Sequence, residues 1–406
     1  VKSNKPKIRF TDFNEPWINY NLKNIGEIKT GITPSTSDLE NYSDKGMLWI
    51  TPTDIKELIT KESAKKLSLK GQGKARIVEP NTILVTSIAS IGKNTMVESY
   101  ASFNQQINSL TPFKSNDPYF LLTQSYFWSK DMKRKAASGM MQIVNKSEFS
   151  EMEFLIPNKN EQVKIGLFFK NLDDMIALHQ QEFDALKKTK QGFLQKMFPE
   201  NNKSKPTVHI NGDNNNWTEY KMKTVFGKIK NAFVGTASPY YVTSGHFYLE
   251  SNNIKDGKIN RKTEIFINDE FYEKQKSNWL KTGDLVMVQS GHVGHTAVVP
   301  EELNNTAAHA VIVFSDTQLK VDSDFINYQL QTYSSKKRLH SLTTGNTIKH
   351  ILASEMKNFL IQLPSYEEQQ KISSIFKDLD DLIELKEQEL EALKQTKKGF
   401  LQKMFV

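Results

Sequence analysis

Residues 161–198 read EQVKIGLFFKNLDDMIALHQQEFDALKKTKQGFLQKMF, and residues 368–405 read EQQKISSIFKDLDDLIELKEQELEALKQTKKGFLQKMF. The two stretches align without a gap and share 25 of 38 positions, so the chain carries an internal duplication. In the first copy apolar residues recur at Ile165, Phe169, Leu172, Ile176, Phe183, Leu186, Phe193 and Met197. In the second they recur at Ile372, Phe376, Leu379, Ile383, Leu390, Leu393, Phe400 and Met404. Alternating steps of four and three specify a coiled-coil seam on a long helix. At about 1.5 Å per residue such a helix spans about 57 Å, and a seam of that length requires a partner. The other copy is the nearest candidate. Duplicated units favour a two-fold relation, which makes the helices antiparallel and sends the segments before them to opposite ends. His179, Lys190, Lys386 and Lys397 interrupt the seam, a cost in stability that can fix register. Lys187, Lys188, Lys190 and Lys196, with Lys394, Lys397, Lys398 and Lys403, crowd the last turns. There they suit the negative end of each helix dipole, so a solvated face is their plain reading. Leu178, Leu385 and Phe168 lie off the seam, which leaves room for a further helical partner.

Outward from the helices the repeat continues faintly. Trp17, Tyr20 and Lys23 match Trp217, Tyr220 and Lys223, and Ile28 and Lys29 match Ile229 and Lys230. Residues 84–92, LVTSIASIG, match residues 286–294, VMVQSGHVG. Ser138 and Gly139 match Thr344 and Gly345, and Pro157 and Pro364 each stand just before a repeated helix. Each half is thus a head followed by a helix, joined by the polar linker PENNKSKP at residues 199–206. The helices stayed alike while the heads diverged. The helices therefore answer one common demand, and each head answers its own.

The heads read as mixed and β-rich, giving an α+β chain with pseudo-two-fold internal duplication. Residues 82–87, 285–289 and 310–314 have strand patterning between Gly, Asn and Ser turns. A basic helical segment falls late in each head, at residues 126–135 and 325–340. Polar loops fall at matching places, at residues 29–37, 51–54 and 87–94 and at residues 230–238, 250–253 and 290–295.

A chain of 406 residues exceeds one ordinary core, so two or three domains are expected. With 38% hydrophobic and 25% charged residues it is globular rather than disordered. It has no cysteine, which excludes disulfides and thiolate metal sites and suits a reducing cytoplasm. Residues 1–10 are basic without a signal-peptide core, and no run is long enough to span a membrane. A cytoplasmic protein without a membrane partner is expected. The net charge of +8 favours polyanionic partners, because neutralised phosphates release counterions. A merely lysine-rich soluble protein is the plainer alternative.

Residue type and loop position single out candidate nucleic-acid contacts, since Lys, Arg, Ser, Thr, Asn and Gln donate to phosphates and base edges. In the first head they are Lys29, Thr33, Ser35, Thr53, Ser90, Lys93, Asn94, Lys133 and Arg134. In the second they are Lys230, Asn231, Asn252, Asn253, Ser290, His292, Lys336, Lys337 and Arg338. For most of these an ordinary surface loop is the competing reading. The basic clusters stand out because they recur at equivalent positions.

Signatures of chemistry are missing. There is no Pro-Pro, so the Asn/Asp-Pro-Pro-aromatic motif of adenine methyltransferases is lacking; Asn14, Glu15, Pro16 and Trp17 come closest. No GxxxxGK[ST] phosphate loop occurs, since Gly71, Gly73 and Lys74 and the pair Gly92 and Lys93 have the wrong spacing. His292 and His295 form an HxxH pair without a supporting carboxylate pattern, so neither a metal nor a catalytic residue is assigned.

The combination resembles the specificity subunit of type I restriction-modification systems, over the whole chain. The resemblance rests on Arg9, Phe10 and Trp17, on Pro157, Glu161, Gln162 and Ile165, on Pro364, Glu368, Gln369 and Ile372, and on the two GFLQKMF endings. It implies two target-recognition domains, at residues 1–157 and 207–364, each reading one half of a split, asymmetric site in double-stranded DNA. The helices, at residues 158–198 and 365–406, would form an antiparallel coiled-coil spacer. They would also dock two modification subunits and, through them, restriction subunits. Adenine methylation with S-adenosylmethionine, and translocation and cleavage with ATP and Mg, would belong to those partners in phage defence. This chain would hold no cofactor. The rivals are a coiled-coil scaffold with incidental DNA affinity and an enzyme with an unfamiliar site in one head.

Overall fold

The computed structural model describes residues 4–137, 143–200, 203–210, 216–343 and 349–406. It forms two compact units, Val1–Gln180 with Gln388–Val406, and Gln181–Glu387. Each unit therefore holds one head and parts of both long helices, Lys159–Lys196 and Tyr366–Met404. The matched residues Ser138, Gly139, Thr344 and Gly345, and linker residues 201–202, lie outside the described residues.

In the first unit, a five-stranded sheet runs in the order Gly26–Thr30, Ile107–Pro112, Ile83–Thr86, Asn94–Val97, Ile59–Thr60. A second sheet has the order Lys65–Leu67, Tyr42–Ile50, Ala101–Phe103, Ile77–Val78. Ile18–Asn21 pairs antiparallel with Glu153–Ile156, closing the head just before the long helix begins. The helix Pro118–Ala137 opens with proline, and the Asp117 carboxylate accepts the Phe120 amide at 2.8 Å. It lays Phe120, Leu121, Trp128 and Met132 into one core with Ile83, Val85 and Leu110 of the sheet.

The second unit repeats this plan with the sheet Phe226–Asn231, Val311–Thr317, Leu285–Val288, Thr296–Val298. Its basic helical segment is two helices rather than one, Ser323–Gln331 and Tyr333–Ser341. Thr332 takes an extended ψ of 152° between them, and its hydroxyl caps the second through the Ser335 amide at 3.2 Å.

Within each unit the two long helices run antiparallel. In the first, Phe168 meets Phe400 and Asp173 meets Lys397; in the second, Glu182 meets Lys386 and Lys190 meets Asp380. Of the seam, Ile165, Phe169, Phe183, Ile372, Phe376 and Leu390 are buried. Leu172, Ile176, Leu186, Leu379, Ile383 and Leu393 are half-buried, because a two-helix layer covers only one side. Ile165 and Phe169 belong to the first head's core, and Ile372 and Phe376 to the second's, so each seam begins against protein other than helix. Phe193 departs from the expected seam: it is exposed, while Leu194 is half-buried. Lys190, one turn earlier, pairs with Asp380. All four polar interruptions have acidic partners, since His179 lies 3.4 Å from Glu389.

The repeated endings have a packing role. In the first unit Phe405 stacks on Phe120 at 5.5 Å and meets Trp17 edge-on at 6.0 Å. In the second Phe198 does the same work against Trp217, Phe325 and Phe376. The Glu-Gln pairs are structural as well. Glu161 is buried and takes two bonds of 2.7 Å from Arg9. Gln162 donates to the Pro157 carbonyl at 2.9 Å, as Gln369 does to Pro364 at 3.0 Å. Among the described residues no helix is long and apolar enough to cross a membrane.

Candidate functional site

Three loops of the first head hang on one turn, Asn104, Gln105 and Gln106. The Ile32 amide donates to Phe103 at 3.0 Å, and the Thr33 hydroxyl donates to the Gln105 side chain. The Asn104 amide donates to Ile50 at 3.0 Å, which fixes the start of loop 51–54. Ser87 donates to the Gln106 carbonyl through its amide at 2.8 Å and its hydroxyl at 3.0 Å, which fixes loop 87–94.

That last loop also rests on the basic helix. Gly92 has φ +80°, and a Cβ there would stand 2.8 Å from the Ser129 carbonyl and 3.1 Å from Lys133 Cε. Only glycine allows the approach. Asn94 donates to the Ser125 hydroxyl, and Lys93 reaches the Pro52 carbonyl at 3.2 Å. Thr33, Thr53, Ser90, Lys93, Asn94 and Lys133 are thereby gathered by one bonded framework. Thr53, Lys93, Lys133 and Arg134 are exposed, although Arg134 pairs with Asp131. Lys29 pairs with Glu27 at 2.7 Å, and Ser35 lies 2.8 Å from Ser37 in the same loop.

The second head has the same framework built from other residues. His309 and Ala310 form the turn. The His309 amide donates to Leu249 at 2.8 Å, Ala310 donates to Phe233 at 2.9 Å, and Gln289 donates to Ala310 at 3.3 Å. These bonds hold the segments at 232–238, 250–253 and 290–295. Lys230 and Asn231, expected in the first of these loops, end the strand Phe226–Asn231, as Lys29 lies in Gly26–Thr30, because these residues pair within their sheets. Gly294, at φ +84°, brings the third loop onto Leu339 of the basic helix, 3.5 Å from the position of a Cβ. Gly291 donates to the Lys349 carbonyl at 3.3 Å, and Ser290 bridges to His350. His295 is held below its ordinary pKa by burial, with the charges of Lys336, His292 and Lys255 acting the same way against Asp256. Lys255 and Lys336 thus bring positive charge close to this loop. His292, Lys336, Lys337, Asn231 and Asn252 are exposed around it and along the loops.

Three expected contacts take other roles. Asn253 is buried, donates to Asn260 and Thr263 at 3.0 and 2.8 Å, and accepts from the Glu250 amide at 3.0 Å, so it holds its loop from inside. The Arg338 guanidinium lies 4.5 Å over the Phe359 ring, and burial holds its pKa below the ordinary value. The Lys230 ammonium is bound by the Ser277 carbonyl and Asn278 at 2.9 and 2.7 Å. Conversely, Gln105, Gln106, His309, Lys255, Lys349 and His350 belong to the frameworks without any local sequence signal. His292 and His295 lie 6.4 Å apart between ring centres, and among the described residues no three metal-ligating side chains cluster.

The family model for the type I restriction modification DNA specificity domain matches residues 14–188 and again 214–395. The chain belongs to this family. It is accordingly a DNA-specificity component of a type I system, a class whose subunits are not themselves catalytic. It is 25% identical to the type I restriction enzyme MjaVIII specificity subunit of Methanocaldococcus jannaschii over 64% of this chain. That alignment spans only 62% of the relative's length. The MjaIX specificity subunit of the same organism is 23% identical over 96% of this chain and 92% of its own. The S subunit of a type I restriction-modification system from M. genitalium shares the fold, with TM-score 0.66, 15% identity and 99% coverage of both chains.

Proposed function

We propose that each framework of loops is the DNA-reading surface of its head, and that the specificity family's two domains here read two different half-sites. One observation carries this reading. The same bonded arrangement of three loops and a basic helix recurs in both heads, while its loops differ in sequence, GITPS at residues 31–35 against GTASP at residues 235–239. Donors on the loops meet base edges, and Lys93 and Lys133, or Lys336 and Lys337, take backbone phosphates. Together they read a bipartite, asymmetric site in double-stranded DNA.

The paired helices set the gap between half-sites and dock two modification subunits, with restriction subunits joining through these. Met175 and Leu178 of the first helix, and their repeats Leu382 and Leu385 of the second, support docking because all four remain well exposed. S-adenosylmethionine would be used by the modification partners, and ATP and Mg by the restriction partners, in the cytoplasm. The test is to map methylated adenines in cells carrying this chain with its modification partner. Two constant half-sequences at a fixed gap are expected. Unpatterned methylation, with no DNA retained by the complex, supports the scaffold reading instead.

A further inference from the structure

We propose that His309 is the positioning residue of the second head's recognition loops, an imidazolium clamp hydrogen-bonded to the Gly235 loop and held to Glu250 by charge. The inference rests on the reading of the segment at 230–238 as DNA-facing. His309 Nε2 lies 2.9 Å from the Gly235 carbonyl, and Nδ1 lies 3.7 Å from Glu250 Oε1. Both neighbours are acceptors, and a neutral imidazole carries a single N–H. At 3.7 Å the Glu250 contact is an ion pair rather than a hydrogen bond, so only the protonated ring both bonds Gly235 and attracts Glu250.

The surroundings favour that state. Glu250 also accepts the Tyr241 hydroxyl at 2.5 Å, and the Tyr248 ring stacks on His309 at 5.9 Å, with its phenol pushed up to about 12 by burial. Glu250, Tyr241 and Tyr248 are thus the titratable groups facing the ring, and Phe233 covers it at 6.0 Å. The close pairing with Glu250 raises the His309 pKa against the opposing effect of burial, and the same pairing lowers that of Glu250. In the first head the corresponding tie is Thr33 to Gln105, which are both uncharged. Sequence choice by the second head should therefore depend on pH through His309, and choice by the first head should not.

The test uses the chain with its modification partner and duplexes altered in one half-site at a time, assigned by mapping methylation with exchanged heads. Affinity ratios are measured from about pH 6 to about pH 9. Discrimination at the second half-site is expected to fall several-fold as pH rises, with discrimination at the first unchanged. His309→Gln should remove the pH dependence while keeping one amide donor, and Glu250→Gln should weaken it. Melting temperature checks that each variant is folded. A His309→Gln complex with the wild-type pH profile, or equal pH effects on both half-sites, overturns the clamp. Asn231→Ala with Ser238→Ala serves as a control within that segment itself. If that pair leaves second-half discrimination intact, the loop does not read DNA and the clamp's role falls with it. If that pair changes discrimination and the His309 and Glu250 variants do not, the clamp alone is wrong.

Discussion

Lys190 lies 2.5 Å from Asp380, at a place in the second unit that repeats the contact of Lys397 with Asp173 in the first. Each aspartate also accepts a tyrosine hydroxyl from its head, Tyr328 at 2.9 Å and Tyr119 at 3.0 Å. Burial and the neighbouring aspartate push both phenols well above their ordinary pKa. A second pair of contacts repeats too, as Glu182 with Lys386 and His179 with Glu389. The polar interruptions of the seam are thus a matched set of polar rungs, three of them, at Lys190, Lys386 and Lys397, carrying charge. Leucines can slide past leucines by a heptad, whereas a rung shifted by one heptad would leave buried charges unpaired.

Replacing Asp380 by Asn should therefore cost far more than a surface ion pair. It strands Lys190, whose side chain is 12% exposed, and weakens the acceptor for Tyr328. A loss of roughly 3 kcal/mol is expected, because an uncompensated buried charge remains. Lys190→Leu with Asp380→Leu should recover most of it, since no charge is then left over. Denaturant unfolding of the four corners of this double-mutant cycle makes the check; additive losses refute the pairing.

Phe198→Ala should loosen the second unit as a core truncation does. Phe198 is almost wholly buried and packs on Trp217, Phe325 and Phe376. Loss of an aromatic at such a site costs about 3–5 kcal/mol. Thermal unfolding followed by tryptophan fluorescence reads it, with Trp217 beside the truncated ring. A change below about 1 kcal/mol would mean that the repeated ending does not anchor the head.

Lys93→Ala and Lys133→Ala should weaken binding to all sequences about equally, since phosphate contacts carry no base information. Each should lower the slope of log affinity against log salt by about one. Affinity of the complex across a salt series is the measurement. A change of preferred sequence, with the slope intact, would place these lysines at base edges instead.

His309 also gives stability a signed pH dependence. Its folded pKa is raised, so its contribution is complete below the ordinary histidine value and is lost as pH rises through the folded one. Glu250 is lowered, so its contribution is present above the ordinary carboxylate value and lost as pH falls through the folded one. The clamp is intact between those limits. Melting temperature of the wild type minus that of His309→Gln should shrink on the alkaline side; a difference constant across pH contradicts the assignment.

How much of this could be read from the sequence follows the range of the interactions. The long helices were legible because their seam repeats within a turn or two, and the structure begins and ends them within two residues of the repeat. Phe193 misled because periodicity registers spacing and not the partner: its repeat Phe400 packs on Phe168, whereas the residue matching Phe168 in the second copy is the smaller Ile375. The loops were legible from polar residues between apolar runs, and within them Gly92 and Gly294 turn the chain at positive φ. The turn that organises them was not, since Gln105 meets Thr33 across 72 residues and His309 meets Gly235 across 74. Asn253 looked like a surface donor by type, and only the fold turns it inward onto the carbonyls of Asn260 and Thr263.

The helices as a measuring device make the last expectation. Lys159–Lys196 and Tyr366–Met404 are each unbroken helix, and their rungs pair in fixed register. Seven residues inserted after Gln180 and seven after Glu387 keep the apolar phase, because the seam repeats every seven. Each helix then lengthens by about 10 Å at about 1.5 Å per residue. With DNA rising about 3.4 Å per base pair, the preferred gap should grow by roughly three base pairs if the helices lie along the duplex. Those added pairs also rotate one half-site about the duplex axis, so some affinity should be lost. The half-sequences themselves should stay the same, since no loop is altered. Selection from a library of variable gaps, using the lengthened chain with its modification partner, reads the outcome. A preferred gap that does not move would assign the measurement to the partner subunits rather than to this coiled coil.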